Sequence, residues 1–221
     1  MHGDMNFDQA RYNMIEQQIR TREVLDQRVL DALASLRRED FVPPAYRRLA
    51  FADAPIPIGH GEVMMAPSIE ARMIQSLQIG AGDNVLEIGT GTGYVTALLA
   101  RLGAWVVSVE IHPDLSAMAA QNLERAGIEN VTLATGDALG SWRPAVAFDG
   151  VAVTGSLPVL TSLFHAYLKT GGRLFVVAGE EPVMEALLLT RVGEEEWARE
   201  SLFETVLPPL VGARKPQRFV L

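Results

Sequence analysis

The chain has 221 residues, of which 48% are hydrophobic, and it carries a formal charge of −8 at pH 7 with no cysteine. The lack of cysteine excludes disulfides, thiolate metal ligands and a cysteine nucleophile, and we expect no metal site. An acidic chain lacks the basic surface that attracts nucleic acids and anionic membranes, so we expect neither as a partner.

The chain is predicted to be helical from residue 8 to about residue 50. Tyr12, Ile15 and Ile19 recur at steps of three and four, the spacing of one apolar helix face. Asp26 is expected to cap the start of a second helix. The polar first residues lack the ~7–15-residue apolar run of a secretion signal, and no run reaches the ~18 residues that span a membrane. We therefore expect a cytoplasmic protein.

The segment 51–67 is rich in proline and glycine, which excludes a regular helix there. Its apolar residues, among them Ile56, Ile58 and Met64, argue against a free linker. Two interpretations stay open. The segment is either an ordered connector that lies on the core or a loop that closes over a ligand.

From Asp83 onwards, short apolar runs alternate with helical patterns, which predicts a parallel sheet with both faces covered. The pattern predicts a doubly wound, mostly parallel seven-stranded α/β fold with a C-terminal antiparallel hairpin. We expect an N-terminal helical extension with a loop that covers the substrate and cofactor over 1–82, the main domain over 83–212 and a basic tail over 213–221. Strands are predicted at 85–88, 105–109, 131–134, 148–153, 173–178, 186–192 and 197–207, and helices at 95–102, 113–126 and 158–168, the last ending at Gly171-Gly172.

The strongest motif is Val-Leu-Glu-Ile-Gly-Thr-Gly-Thr-Gly-Tyr at 85–94, which follows a predicted strand and opens a predicted helix. A dinucleotide-binding loop would place glycine at position 94, where this chain has Tyr94. The spacing E-x-G-x-G-x-G from Glu87 is instead similar to that of S-adenosylmethionine-dependent methyltransferases. An acidic residue suits a cationic ligand that has no pyrophosphate. A nicotinamide enzyme and a glycine-rich turn without a ligand remain as alternatives.

Two further acidic residues follow neighbouring strands. Glu110 ends the next strand about 20 positions after Gly89, where a carboxylate accepts from both hydroxyls of an adenosine ribose. Asp137 follows the third strand and is the candidate acceptor for the adenine amino group. The complete set of candidate residues for binding S-adenosylmethionine is Glu87, Gly89, Thr90, Gly91, Gly93, Tyr94, Glu110, Ile111, Asp137, Ala138 and Met64.

Together these motifs resemble the protein-L-isoaspartate O-methyltransferase family from about Met14 to Leu210. Residues 37–43, Arg-Arg-Glu-Asp-Phe-Val-Pro, are similar to its Arg-Glu-x-Phe-Val-Pro signature, and 57–61 to its Pro-Ile-Gly-x-Gly. Residues 207–210 are similar to its Phe-Val-Pro-Leu. The resemblance implies a Rossmann-like methyltransferase fold and S-adenosylmethionine as cofactor. It also implies a substrate, the isoaspartyl carboxylate of a damaged protein or peptide.

One segment departs from the family pattern. Where the family has Gln-Thr-Ile-Ser-Gln-Pro, residues 62–67 read Glu-Val-Met-Met-Ala-Pro. Met65 therefore replaces the serine that sits at the substrate carboxylate in the family. Thr154, Ser156 and Ser68 are the candidates for a substitute hydroxyl.

The loss of this serine leaves three hypotheses. The chain is an isoaspartyl methyltransferase that tolerates Met65, a family member with another, small-molecule acceptor, or a cofactor-binding module without turnover. The sequence carries no signal for an oligomeric state. Met65 is the candidate catalytic position, and the candidate substrate-binding residues are His60, Thr154, Ser156, Pro209 and Leu210.

Overall fold

The structure is a computed structural model that describes residues 6–216. The last five residues of the predicted basic tail, 217–221, lie outside the described residues. Across the described range, no helix combines the length and the apolar composition needed to cross a bilayer.

A seven-stranded sheet forms the centre of the fold, in the order β5-β4-β3-β6-β7-β8-β9. The first five strands of that order pair in parallel and the last two are antiparallel additions, so the predicted fold class is confirmed. The strands are β3 Asn84–Ile88, β4 Trp105–Glu110, β5 Val131–Thr135, β6 Phe148–Leu157, β7 Leu168–Glu180, β8 Val183–Arg191 and β9 Trp197–Glu204.

The central strand β3 is buried on both faces because both are covered. Val85 belongs to one hydrophobic cluster and Leu86 to another, as expected for neighbours on opposite sides of a strand. The Val85 side is packed by the helices α2 Gln27–Ser35, α3 Pro67–Leu77, α4 Tyr94–Leu102 and α5 Pro113–Arg125. Pro113 opens α5, as predicted.

On the other face of the sheet, one predicted helix is absent from the structure as described. Residues 158–168 do not form an α-helix; Ser162–Tyr167 form a 3₁₀ helix, and Phe164 and Tyr167 pack against the sheet. Gly171 and Gly172 do not end a helix but lie within β7. The two glycines predict a helix end because glycine locally favours that position. The structure at this point is instead determined by the long-range pairing of β7 with β6, which the local pattern does not show.

Helix α3 is an element that the sequence analysis did not identify. Pro67 occupies its first turn, and the helix packs against β6 and β7. Buried residues at 70, 71, 73, 74 and 77 give it the spacing of a core-facing helix. The division of the chain at residue 82 stays a prediction.

The N-terminal region is helical in short pieces. Helix α1 spans Phe7–Met14 and continues as a π-helix over Ile15–Ile19. The predicted apolar face was wrong at Tyr12, which is 60% exposed, whereas Ile15 and Ile19 are buried. The π-helix changes the residue spacing along the helix, so a regular three-and-four pattern does not describe its face. Asp26 caps α2 as predicted, since its side chain accepts from the Arg28 N–H.

The segment 51–67 contains a small antiparallel hairpin, β1 Ile56–Gly59 and β2 Glu62–Met64. His60, at its tip, adopts a φ of 56°, between Gly59 and Gly61 at 107° and 83°. Buried Ile56 and Ile58 hold β1 on the core. The exclusion of a regular helix is confirmed, and the hairpin lies over the carboxyl ends of the central strands.

Candidate functional site

Two adjoining pockets lie at the carboxyl ends of β3, β4 and β6, where open parallel sheets bind ligands. The outer pocket has a volume of about 610 Å³, including its open mouth, and is lined by the ends of β3 to β6 and by Leu210. The inner pocket, about 310 Å³, lies behind the hairpin. The pockets share five lining residues, which are Ile58, Val63, Gly89, Gly91 and Thr154.

The glycine loop forms the boundary between the two pockets. Gly89, Gly91 and Gly93 have φ values of 95°, 54° and 85°, a region that favours glycine. A Cβ at Gly91 would lie 3.1 Å from the Ile58 Cδ1 atom, and one at Gly89 would collide with the Thr154 Oγ1 atom. The loop therefore combines dihedral angles that favour glycine with neighbouring atoms too close for a side chain.

Thr154 secures this loop to β6. Its Oγ1 lies 2.6 Å from the carbonyl oxygen of Gly89 and 2.9 Å from that of Ile88, so the hydroxyl donates to the loop backbone. Although Thr154 lines both pockets, its proton is engaged in holding the loop.

Backbone amides hold the two predicted acidic residues of the outer pocket. The Glu110 carboxylate accepts from the Gly91 N–H at 2.8 Å and from the His112 N–H at 3.0 Å. Asp137 accepts from the backbone N–H groups of Leu139 and Gly140, both at 2.9 Å. Both side chains line the pocket, together with Ile111 and Ala138. Carboxylate oxygens fixed in this way retain lone pairs for the hydroxyl and amino donors of a ligand.

Glu87 is fully buried at the inner pocket. Its Oε2 accepts from the Thr96 hydroxyl at 2.5 Å and from the Ser108 hydroxyl at 2.6 Å, and Thr90 in turn contacts Ser108. Burial raises the pKa of Glu87 to about 8. Within residues 6–216, its Oε1 has no hydrogen-bond partner.

Apolar and polar groups meet in the inner pocket. Met64 and Met65 are buried and form part of its wall. The Arg38 Nη2 donates to the Met65 carbonyl at 2.7 Å and to the Glu70 Oε1 at 3.0 Å. The guanidinium also lies over the Tyr94 ring, 4.9 Å from its centroid.

Four predicted site residues do not line either pocket as the structure describes them: Gly93, His60, Ser156 and Pro209. Gly93 caps α4, where a Cβ would lie 3.2 Å from that of Ala119. Ser156 is buried, and its hydroxyl donates to the Leu207 carbonyl at 2.9 Å. Pro209 forms a β-bridge with Ser156, which leaves Leu210 as the lining residue of that segment.

His60 lies at the rim of the outer pocket and not inside it. Its Nε2 is 2.8 Å from the Asp114 Oδ2, and its ring stacks on that of His112 at 4.1 Å. These contacts join the hairpin tip to the first turn of α5.

Comparison with known proteins gives the same family as the motifs. The model of the family described as Protein-L-isoaspartate(D-aspartate) O-methyltransferase (PCMT) matches residues 9–215. The chain belongs to this family. A protein-L-isoaspartate O-methyltransferase from Brucella anthropi is 37% identical over 94% of this chain and 95% of the relative. A protein-L-isoaspartate O-methyltransferase from Koribacter versatilis is 40% identical over 93% of this chain and 91% of the relative.

Solved structures of PCMT proteins have the same fold. A Plasmodium falciparum chain assigned to PCMT, in complex with S-adenosyl-L-homocysteine, has a TM-score of 0.78 at 20% identity and covers 94% of this chain and 99% of its own. A further protein-L-isoaspartate O-methyltransferase has a TM-score of 0.75 at 25% identity, with coverages of 92% and 65%. The Rossmann-like methyltransferase fold is confirmed, and PCMT membership sets aside the nicotinamide alternative.

Sequence reasoning missed several lining residues of this PCMT chain. Glu70 carried a detectable signal, because it is a charged residue at a core-facing position of α3, between Ile69 and Ala71. Arg38 lies in a quoted family signature, but nothing in its sequence context indicated contact with Met65 and Glu70. The other lining residues outside the predicted set are Ile58, Glu62, Val63, Ile88, Val109, His112, Leu115, Gly136, Leu139, Gly155 and Val211 in the outer pocket and Thr92 and Val95 in the inner one.

Proposed function

We propose that this chain transfers a methyl group from S-adenosylmethionine to the carboxylate of isoaspartyl residues in proteins or peptides. The observation that carries the proposal is the pair of joined pockets, the outer one lined by fixed carboxylates and the inner one by buried polar and apolar side chains, which meet at the glycine loop. Membership of the PCMT family and the names of its relatives from Brucella anthropi and Koribacter versatilis support it.

The outer pocket fits the adenosine part of the cofactor. Glu110 would accept from the ribose hydroxyls and Asp137 from the adenine amino group, with Ile111 and Ala138 beside them. Glu87, with an Oε1 that has no partner among the described residues, would face the amino-acid part. When bound, the cofactor supplies a methyl on a sulfonium, and a carboxylate oxygen bonds to that carbon as the carbon–sulfur bond breaks with its electrons on sulfur.

The protein's contribution to this reaction is alignment and exclusion of water. A carboxylate acceptor is already ionised at neutral pH, so no residue has to remove a proton. The glycine loop allows a ligand to approach its backbone closely, and Ile58 and Val63 of the hairpin line both pockets where they meet. Fixing two reactants in a water-poor enclosure supplies much of the rate enhancement in such displacements.

The apolar wall of the inner pocket favours one second candidate, transfer to another acceptor such as a small molecule. Met65 provides no hydrogen-bond donor, and of the three hydroxyls proposed as substitutes, Thr154 and Ser156 donate to backbone carbonyls. Ser68 is buried and, among the described residues, does not line the inner pocket.

Methyl transfer from labelled S-adenosylmethionine to an isoaspartyl peptide tests the proposal, with the aspartyl isomer as control. We expect a methyl ester on the isoaspartyl peptide alone. If protein that binds the cofactor transfers no methyl to this peptide, the proposal is wrong. Transfer to a small molecule would then support the second candidate, and lack of any transfer would support a binding module. The cytoplasmic location stays a prediction.

A further inference from the structure

Two polar side chains at the base of the inner pocket have atoms that the fold does not use. Glu70 and Tyr94 both line this pocket, and both are almost completely buried. Within the described part of the chain, neither the Glu70 Oε2 nor the Tyr94 hydroxyl has a hydrogen-bond partner. Buried polar atoms are nearly always paired because leaving them unpaired is costly, so a ligand is the natural partner for these two.

Arg38 fixes the orientation of the Glu70 carboxyl group. Its Nη2 donates to the Glu70 Oε1 at 3.0 Å and to the Met65 carbonyl at 2.7 Å. Oε1 therefore acts as an acceptor, and a proton on this carboxyl group would reside on Oε2. The same guanidinium packs on the Tyr94 ring, which also meets the Phe41 ring edge at a centroid distance of 5.4 Å.

Three hydroxyls near the glycine loop, those of Thr90, Ser108 and Thr154, already donate within the protein. Thr154 donates to the loop carbonyls. Thr90 forms a 2.6 Å hydrogen bond with Ser108, which donates to Glu87. A carboxylate entering the inner pocket cannot take these three protons, whereas Tyr94 and Glu70 line the same pocket with oxygens that have no partner among the described residues.

We propose that Tyr94 and Glu70 bind the acceptor carboxylate, with the Tyr94 hydroxyl and a protonated Glu70 carboxyl group donating to the oxygen that does not take the methyl. This inference rests on the proposed function and names the residues that hold its substrate. It accounts for how a pocket walled by Met64 and Met65 orients an anionic acceptor.

The burial of Glu70 favours its protonated form near neutral pH. Burial raises the pKa of Glu70 to about 7, Asp53 acts in the same direction, and Arg38 opposes both. Glu87 also has a raised pKa, and burial keeps the pKa of Tyr94 well above its ordinary value. Around pH 6 both carboxyl groups are neutral and do not repel an anion. Above the pKa of Glu70, its donor is lost and a negative charge takes its place.

The proposed contacts act on binding more than on the chemical step. The acceptor carboxylate loses its negative charge as the methyl is transferred, so hydrogen bonds to it weaken on the way to the transition state. Removing a donor should therefore change KM for the peptide more than kcat.

The first test compares Tyr94→Phe and Glu70→Ala with wild type on an isoaspartyl peptide. We expect each variant to raise KM about tenfold while kcat changes less than about threefold. Tyr94→Phe removes no hydrogen bond to the described residues, so it should fold normally. Glu39→Ala is the matched control. Glu39 is a buried glutamate paired with Arg11 at 2.7 Å, and it does not belong to the described lining of the inner pocket.

The second test uses Glu70→Gln, whose amide donates at every pH. We expect kcat/KM of the wild type to fall as the pH rises through about 7, whereas that of Glu70→Gln stays level until about pH 8, where Glu87 ionises. A merely structural role for Glu70 would not produce this difference. Melting temperature and cofactor affinity establish that each variant is folded. If Glu70→Ala does not fold, Tyr94→Phe and Glu70→Gln decide the matter.

The outcomes separate the two proposals. A folded wild-type protein that does not methylate the peptide overturns the proposed function and this inference with it. An active wild type whose KM is unchanged by both Tyr94→Phe and Glu70→Ala overturns this inference alone. A Glu70→Gln variant that retains the pH dependence of the wild type also overturns it.

Discussion

The outer and inner pockets share the glycine loop but differ in how their polar groups are satisfied. In the outer pocket, both oxygens of Glu110 accept from backbone N–H groups, and Asp137 accepts from two more. In the inner pocket, Glu70, Glu87 and Tyr94 each retain an oxygen without a partner in the described range. The first pocket is arranged before a ligand arrives, whereas the second is completed by one.

This difference follows from how each pocket is assembled. The outer pocket is built at consecutive strand ends, where local backbone geometry places each carboxylate. The inner pocket combines Arg38, Met65, Glu70 and Tyr94 from four separate segments. Its arrangement depends on long-range contacts, so a single substitution there should also disturb the other residues of the pocket that the substituted residue contacts. Four predictions test the comparison, in order of decreasing effect.

The largest expected effect is on stability, from Arg38→Met. Arg38 is fully buried and pairs with Glu70, so its removal leaves a buried carboxyl group and the Met65 carbonyl without their donor. Each buried polar group left without its partner costs about 1–3 kcal/mol in the free energy of unfolding. Urea unfolding measures the loss. A cost below about 1 kcal/mol would contradict the view that Arg38 organises the inner pocket.

The second effect concerns the outer pocket alone. Glu110→Ala should weaken binding of S-adenosylmethionine by about 2 kcal/mol or more, because the ribose loses a charged acceptor and the Gly91 N–H loses its partner. Calorimetric titration measures the affinity, with the exposed Glu124→Ala as control. Unchanged affinity would remove Glu110 from the cofactor site.

The third prediction concerns the pH dependence of stability. The pKa of Glu87 is raised to about 8 by burial, so the folded state holds a proton that the unfolded state releases near pH 4.5. The stability due to this proton is complete below about pH 4.5 and is lost as pH rises through about 8. Melting temperature should therefore fall less steeply between pH 5 and 9 in Glu87→Gln than in wild type. Parallel curves would contradict the raised pKa.

The smallest effect is expected at the rim. His60→Ala removes the contact of the hairpin tip with Asp114, a partly exposed pair that contributes little. Cofactor affinity should change less than about threefold in a calorimetric titration. A change of tenfold or more would show that His60 closes the outer pocket, and would restore the ligand role predicted for it.

The sequence predicted the sheet and the outer pocket because their signals are local. The apolar run of β3, the glycine loop and the acidic strand ends each lie within a few residues of one another. The helix predicted over 158–168 was wrong. The start of β7 is determined by pairing with β6, and not by the helix-like pattern or by Gly171 and Gly172.

The inner pocket was predicted only in part. Met64, Met65, Glu87 and Tyr94 were found through their motifs, but Glu70 was not. Its exposure to the pocket follows from α3 packing on the sheet and from Arg38 reaching it over 32 residues of sequence. No pattern within a single segment encodes a contact of this kind.

The most direct test of this account measures two constants for two variants: KM for an isoaspartyl peptide and the dissociation constant of S-adenosylmethionine. Tyr94→Phe should raise KM about tenfold and leave cofactor affinity unchanged. Glu110→Ala should weaken cofactor affinity about thirtyfold or more. If Tyr94→Phe instead weakens binding of the cofactor and leaves KM for the peptide unchanged, the assignment of Tyr94 to the methyl acceptor is wrong.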